Sequence, residues 1–194
     1  MEAGSAKIIS GALEKEKSVA KKPDTVLVMA AINGDADGFT ELCRRYYPAM
    51  VAIAHSVLGD RHLAEDAAQQ AFAKAVVKLP QLKKENRFAA WLAVICRNVA
   101  KDMALNTENL RTTEDLSIIA APAETDDDVE AVRKVINRLS APAREVIFLR
   151  YYDGMSYEQI SAVLGISEQA INGRLRRAKK KMADYLRRNG FGEV

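Results

Sequence analysis

Apolar residues recur along most of this chain at intervals of three and four rather than two, a spacing that predicts helices. The pattern is clearest near the carboxyl end, where Ile171, Leu175, Ala178 and Met182 fall on a single helical face. Val, Ile and Ala follow the same helical spacing elsewhere. We therefore predict an all-α protein.

Turn signals divide the pattern into separate helices. A short apolar helix over 26–32 ends at Asn33-Gly34-Asp35, and the next helix reaches Leu58. Pro48 either kinks that helix or splits it in two. Asp60 is placed to cap a helix to about Leu79, which Pro80 stops. Its predicted inward residues are Ala68, Phe72, Ala75, Val76 and Leu79. Another helix begins at Phe88, with Trp91 on its apolar face, where core packing is favoured over base stacking.

Two polar segments suggest the domain organisation. Residues 1–24 mix Lys, Glu, Ser and Gly, which predicts a mobile arm. Residues 106–127 contain several Thr, Pro122 and many acids, which predicts a linker. We therefore expect two small helical domains, over 25–105 and 128–190. The Asp triplet at 126–128 suits a helix start better than a metal site, because anions favour that end of the helix dipole.

Residues 156–182 read as two short helices around a tight turn. Ser156 is placed to cap the first helix, with Gln159 completing a capping box. Gly165 permits the positive φ of a sharp turn, and Ser167 is the expected cap of the second helix. Two helices joined by such a turn are typical of a DNA-binding helix-turn-helix.

The outer faces of the second helix are basic and rich in amides. Amides pair with adenine edges, arginines with guanine edges and lysines with phosphates. Gly173 interrupts this surface, at a cost of about 1 kcal/mol relative to alanine in a helix. A solvated surface helix, or one that docks on a protein, is the alternative. The predicted DNA contacts are Gln169, Asn172, Gly173, Arg174, Arg176, Arg177, Lys179 and Lys180.

Composition changes this picture little. The chain has 194 residues, is 48% hydrophobic and carries a net charge of only +3, so the placement of charge matters more than its sum. Cys43 and Cys96 have no metal-site or disulfide spacing, which fits a reducing cytoplasm. No apolar run suits a membrane span or signal core. His55 and His62 are isolated, so we predict no catalysis, metal or cofactor.

The chain resembles bacterial sigma factors of the extracytoplasmic-function group. Four stretches carry the resemblance, in family order, over residues 26–190: Gly34 to Tyr46, AEDAAQQAF at 64–72, FAAWLAVICRNVAKD at 88–102, and the stretch 143–182 with the helix-turn-helix. Sigma factors direct core RNA polymerase to promoters and perform no covalent chemistry. The resemblance therefore implies a two-domain factor with a region 2 bundle and a region 4 helix-turn-helix.

The resemblance also assigns roles. It implies that region 4 binds the −35 element and that the helix after Asp60 docks on core polymerase. A basic loop and the helix around Asn98 would then bind the −10 strand. The implied polymerase-binding residues are Glu65, Asp66, Gln69 and Gln70. The implied −10 contacts are Lys83, Lys84, Arg87, Arg97, Asn98 and Lys101.

Three further expectations concern partners. The family architecture predicts an anti-sigma protein that clamps both domains. Without it we expect a monomer whose domains are loosely coupled through the linker. The sequence alone leaves two other functions open: a helix-turn-helix regulator that acts without polymerase, and an adaptor whose basic helix binds an acidic partner.

Overall fold

The computed structural model describes residues 22–113 and 127–190, and the side chains of residues 22–107 and 131–190. Within these ranges the secondary structure is entirely helical, which confirms the predicted all-α fold. The predicted arm, apart from residues 22–24, and the acidic part of the predicted linker, 114–126, lie outside the described residues.

The first domain is a bundle of helices α1 (Asp24–Ile32), α2 (Ala36–Leu58), α3 (Arg61–Lys78) and α4 (Phe88–Thr113). Asp35 and Asp60 cap α2 and α3 with their carboxylates, which accept hydrogen bonds from the first-turn amides of Asp37 and Leu63. Helix α2 continues through Pro48 as one element. Gly59 ends it with φ of 71°, a left-handed conformation that favours glycine.

Small and large apolar residues alternate in the core of the first domain. Helix α3 contributes mainly alanines and Phe72, which let α2 and α4 approach it closely. Helix α2 contributes Leu42, Met50 and Ile53, all fully buried. Val76, predicted to face inward, is 47% exposed, so that prediction is wrong. The buried stripe of α3 instead passes through Ala75 to Leu79.

Helix α1 contacts α2 through polar side chains as well as through the packing of its buried residues Leu27 and Val28. The Asp24 carboxylate accepts hydrogen bonds from the Arg45 guanidinium and the Tyr46 hydroxyl. Burial and this neighbouring carboxylate both raise the pKa of Tyr46. The phenol therefore stays protonated and serves as a donor to Asp24.

The second domain contains α5 (Asp127–Asn137), α6 (Ala141–Ile147), α7 (Tyr157–Leu164) and α8 (Glu168–Arg188). A single π-helical turn, Phe148–Tyr152, extends α6. Leu149 and Val146 meet Ile160, Ile171 and Leu175 in the core of this domain. Helix α4 runs through Thr113, eight residues past the predicted domain end at 105, so the predicted linker begins inside a helix.

The two domains share an interface in the described structure. Helices α2 and α4 of the first domain contact α6, the π turn and α7 of the second. Buried residues of both domains form one continuous hydrophobic cluster. We call this interface the interdomain junction. Nothing in the sequence pointed to this interface, because linker composition carries no information about faces that meet across long sequence separations.

None of the helices in the described ranges combines the length and the apolar character that crossing a bilayer requires.

Candidate nucleic-acid and protein interfaces

The helix-turn-helix forms as the sequence predicts, from local hydrogen bonds. The Ser156 hydroxyl accepts from the Gln159 amide at 3.1 Å, and the Gln159 side chain accepts from the Ser156 amide at 2.8 Å. Gly165 takes φ of 67° in the turn. The Ser161 hydroxyl donates to the Ile166 carbonyl at 2.7 Å, and Ser167 caps α8 by accepting from Ala170. These bonds fix the angle at which α8 leaves the turn.

Helix α8 buries one side and presents cations on the others. Ile171, Leu175 and Ala178 are buried against α6 and α7. Between 168 and 188 the helix carries eight cations and two acids, Glu168 and Asp184. Arg187 pairs with Asp184 at 3.5 Å on the exposed surface. Of the predicted DNA contacts, Gly173 and Arg174 are half-buried, and the exposed ones are Gln169, Asn172, Arg176, Arg177, Lys179 and Lys180.

The cations of α8 divide between two flanks. Because a helix turns 100° per residue, Asn172, Arg176 and Lys179 share one flank. There the Lys179 ammonium lies 5.0 Å from the centre of the Tyr151 ring. Arg177 and Lys180 instead line a groove of about 520 Å³ between α8 and α5.

The groove also contains cations that are not among the predicted DNA contacts. Arg138, just after the end of α5, lies over the Tyr185 ring at 4.7 Å, and Lys181 donates to the Arg138 carbonyl at 2.7 Å. Arg188 lies on the same flank of α8 as Arg177. Helical periodicity places Lys181 and Arg188 beside Arg177, but Arg138 reaches the groove only through tertiary packing. The groove therefore extends the basic surface beyond the recognition helix.

Gly173 leaves space for one of these cations. A β-carbon at this position would lie 3.4 Å from Nη1 of Arg177, which is ordinary van der Waals contact. The Arg177 guanidinium therefore lies back along the helix, over the glycine. Nothing in the described structure makes glycine sterically necessary here.

The predicted −10 residues separate into two groups. Asn98 and Lys101 are exposed on one side of α4, and Lys83, Lys84 and Arg87 are exposed just before it. Arg97 faces the interdomain junction instead. Its Nε and Nη2 donate to the Glu145 carboxylate of α6 at 2.5 and 3.3 Å.

Two exposed apolar residues accompany Asn98 on α4. Val94 is 50% exposed and Leu105 is 60% exposed, and helical geometry places both on the side of Asn98 and Lys101. An unpaired base needs an apolar surface to replace its lost stacking. Trp91 is half-buried and its ring lies 5.9 Å from that of Phe88, which fits the predicted core role.

The predicted polymerase-binding residues lie on the outer face of α3. Asp66, Gln69 and Gln70 are exposed, while Glu65 is half-exposed and accepts from Arg61 at 3.0 Å. The same face continues to Val77, which is 76% exposed. A polar and acidic face that ends in exposed valines suits a protein partner.

The interdomain junction combines an ion pair with an aromatic cluster. The His55 ring of α2 lies 4.7 Å from Phe148 and 5.7 Å from Tyr152. Burial lowers the pKa of His55, against the smaller opposing effects of the Gly59 backbone and Asp60. A β-carbon on Gly165 would lie only 3.6 Å from Ala90, so the turn of the helix-turn-helix also touches α4.

The two cysteines are packing residues. The Cys96 thiol is buried, donates to the Met50 carbonyl at 3.3 Å, and has its pKa raised by burial to about 12. Burial also raises the pKa of Cys43, to about 11. Neither thiol is ionised near neutral pH, so neither is a reactive nucleophile.

Comparison with known proteins matches both domains. Residues 42–108 match the family model of sigma-70 region 2, and residues 129–182 match that of sigma-70 region 4. The chain belongs to the sigma-70 family. Regions 2 and 4 are those of a factor that binds core RNA polymerase and recognises promoters. Several relatives are named as extracytoplasmic-function factors, so the predicted group is confirmed.

One curated relative and two solved structures give the degree of similarity. The chain is 34% identical to the probable RNA polymerase sigma factor RfaY of Xanthomonas campestris over 71% of its own length, but spans only 37% of that relative. It resembles CnrH, solved in complex with the cytosolic domain of CnrY, with TM-score 0.60 and 27% identity; the match covers 86% of this chain and 99% of CnrH. CnrH is a sigma factor of Cupriavidus metallidurans.

The second structure is the sigma factor RpoE of Bartonella quintana in complex with the anti-sigma factor NepR, with TM-score 0.51 and 28% identity. That match covers 77% of this chain and 96% of RpoE.

Proposed function

We propose that three surfaces of this sigma factor divide the work of promoter recognition. Helix α8 binds the −35 element, the exposed side of α4 with the preceding basic loop binds the −10 strand, and α3 docks on core polymerase. The single observation that supports this proposal most strongly is that all three surfaces are exposed on one chain with matches to both regions. The factor performs no covalent chemistry itself and works in the cytoplasm.

We assign base recognition to the flank of α8 that carries Gln169, Asn172 and Arg176. This flank is exposed and lies in the first turns after the helix-turn-helix, where recognition helices read bases. Arg177 and Lys180 line the groove beside α5, a position that favours contacts to phosphates. Arg174 and Lys179 also contact phosphates.

The two roles differ in a binding experiment with promoter duplexes. Arg176→Ala should cost about 1–3 kcal/mol and relax the sequence preference at one base pair. Lys180→Ala should weaken binding to all duplexes alike and lower the salt dependence by about one unit. Uniform weakening by Arg176→Ala would contradict the assignment of that residue to a base.

The polymerase contact is tested by titrating labelled factor with core enzyme. Asp66→Arg reverses a charge on the exposed face of α3 and should weaken the complex, because the face is complementary to a basic partner. Asp184→Arg, on α8, is the matched control for charge reversal. Equal affinities of the Asp66→Arg variant and the unchanged protein would remove α3 from the interface.

We infer an anti-sigma partner from the two complexes in the comparison. CnrH and RpoE were each solved with a bound partner, and NepR is an anti-sigma factor. The interdomain junction of this chain gives such a partner a closed arrangement to hold, in which Arg97 faces Glu145. Affinity purification of the tagged chain from its own cells, before and after induction, tests this inference. Recovery of polymerase alone under both conditions would count against it.

A further inference from the structure

A cavity of about 430 Å³ lies at the interdomain junction, between parts that belong to different domains. One wall is the end of α2, from His55 to Gly59. The opposite wall is formed by α5, Arg144 of α6 and Phe148 of the π turn. We call this space the junction cavity. Anything bound in it touches both domains at once.

Two residues that line this cavity each carry a buried side-chain nitrogen that lacks a hydrogen-bond partner. The two atoms are Nδ1 of His55 and Nε of Arg144, and neither finds a partner among the described residues. Buried polar groups in folded proteins are almost always hydrogen-bonded, and an exception points to a bound water, ion or ligand. Both residues line the same cavity, so a group bound there lies beside both side chains.

The charge of the lining selects an anion. Arg133, Arg144 and His55 line the cavity together with Asn137, and none of the lining residues is acidic. Asp60, just beyond the end of α2, already accepts a hydrogen bond from the Leu63 amide at 2.9 Å. An arginine N–H facing an oxyanion makes a charge-assisted hydrogen bond, which is stronger than one to a neutral acceptor.

The other residues that line the cavity are mainly apolar, which favours a ligand that also has an apolar portion. Val57, Leu58, Val132, Ile136 and Phe148 line the cavity beside the polar group. Ligand sites commonly combine such walls with a few polar groups that fix orientation. A bare inorganic anion would satisfy Arg144 but would leave these walls in contact with water.

We propose that the junction cavity binds a small organic anion, which accepts a hydrogen bond from Arg144 and places its apolar body against Ile136 and Phe148. The bound anion stabilises the closed arrangement of the two domains, because its contacts come from both. This role is separate from promoter recognition, and it gives the chain a site through which a metabolite could control its opening. The site is independent of the three surfaces assigned above.

The two histidines of the chain provide a direct test. His55 lines the cavity, whereas His62 is exposed on α3 and serves as an internal control. Histidine labelled with ¹³C in the full chain gives two ring signals, which a His62→Gln variant assigns. We expect phenyl phosphate to move the His55 signal in a saturable way and to leave the His62 signal in place. Inorganic phosphate should require at least about tenfold higher concentration, and benzyl alcohol should have no effect.

Variants localise the binding. Arg144→Met keeps the aliphatic stem and should raise the dissociation constant of phenyl phosphate at least about tenfold, since the charged donor is lost. Arg187→Met removes the same charge from the exposed end of α8 and should leave binding unchanged. Should Arg144→Met unfold the chain, the His55 titration of the unchanged protein still decides the question.

Three results would overturn the proposal: no saturable shift of His55, equal shifts of both histidines, or an equal response to sodium chloride at the same ionic strength. Each would mean that the cavity holds only water. Distance measurements between the domains add a second readout, in which phenyl phosphate should narrow the distribution. Loss of polymerase binding in other experiments would leave these outcomes unaffected, because none of them requires polymerase.

Discussion

The ion pair between Arg97 and Glu145 gives the sharpest prediction about how this factor is controlled. Glu145 has a side chain that is only 7% exposed, and Arg97 is 25% exposed. The pair links α4 to α6. It engages Arg97, which the family resemblance assigns to the −10 strand. Glu145→Gln keeps the size of the side chain and one acceptor oxygen but removes the charge. The variant should therefore favour the open arrangement and release Arg97.

The expected magnitude follows from the burial of the pair. Breaking a fully buried pair costs about 3–5 kcal/mol, and a hydrogen bond to a charged group contributes about 1.5–3 kcal/mol. The Arg97 side chain is partly exposed to solvent, and glutamine at position 145 still accepts one hydrogen bond. We therefore expect Glu145→Gln to cost the smaller of these two amounts, about 1.5–3 kcal/mol. That loss changes the ratio of closed to open molecules by about 10- to 150-fold.

The assay measures the distance between the domains. Nitroxide labels are attached to unnatural amino acids at positions 74 and 183, both of which are exposed, so neither cysteine needs to be replaced. Pulsed electron paramagnetic resonance then measures the distance between the two labels. Glu145→Gln should add a population at longer distance. Glu65→Gln is the matched control, since it breaks the exposed pair with Arg61 inside one domain and costs only a few tenths of a kcal/mol.

A double-mutant cycle with Arg97→Gln separates the pair from other effects. If the pair itself holds the domains, adding Glu145→Gln to Arg97→Gln should cause little further opening. Identical distance distributions for Glu145→Gln and the unchanged protein would refute the reasoning. They would mean that the apolar and aromatic contacts hold the junction without the ion pair.

Three further predictions follow from other parts of the structure. Val77→Lys should weaken core binding about tenfold, or about 1.4 kcal/mol, in a fluorescence titration, while Val26→Lys on α1 should not; equal affinities would exclude Val77 from the interface. Gly173→Ala should raise the melting temperature by about 2–4 °C, because the gain in helix propensity is about 1 kcal/mol and the new carbon fits; a lower melting temperature would contradict this. The pKa of His55 in the folded chain lies below its usual 6.5, so protonation of His55 opposes the closed form. Lowering the pH from about 7.5 to about 5.5 should therefore increase the open population. His55→Gln should remove that pH dependence.

The sequence predicted features that depend on neighbouring residues. Caps at Asp60, Ser156 and Ser167 and the turn at Gly165 formed as expected, because each needs only residues within one helical turn. The helix-turn-helix and its exposed cations followed from those signals together with the apolar period. Pro48 allowed either a kinked helix or two separate helices, and α2 is a single helix that runs through it.

The junction could not be predicted in the same way. Arg97 and Glu145 are far apart in the chain, and each has the sequence context of a surface residue on an amphipathic helix. His55, similarly, looked isolated because its partners Phe148 and Tyr152 belong to the other domain. Val76 was misplaced because a valine at helical spacing gives no sign of which of two adjacent faces is covered. Contacts of this kind depend on tertiary packing, which periodicity does not encode.

This chain directs core RNA polymerase to its promoters, and run-off transcription tests that function most directly. Core enzyme is mixed with a genomic fragment library, with and without the chain, and the 5′ ends of the transcripts are sequenced. We predict a new set of start sites that share two upstream elements and that disappears with Asp66→Arg. Start sites that are the same with and without the chain, from a protein that still binds DNA, would contradict the account.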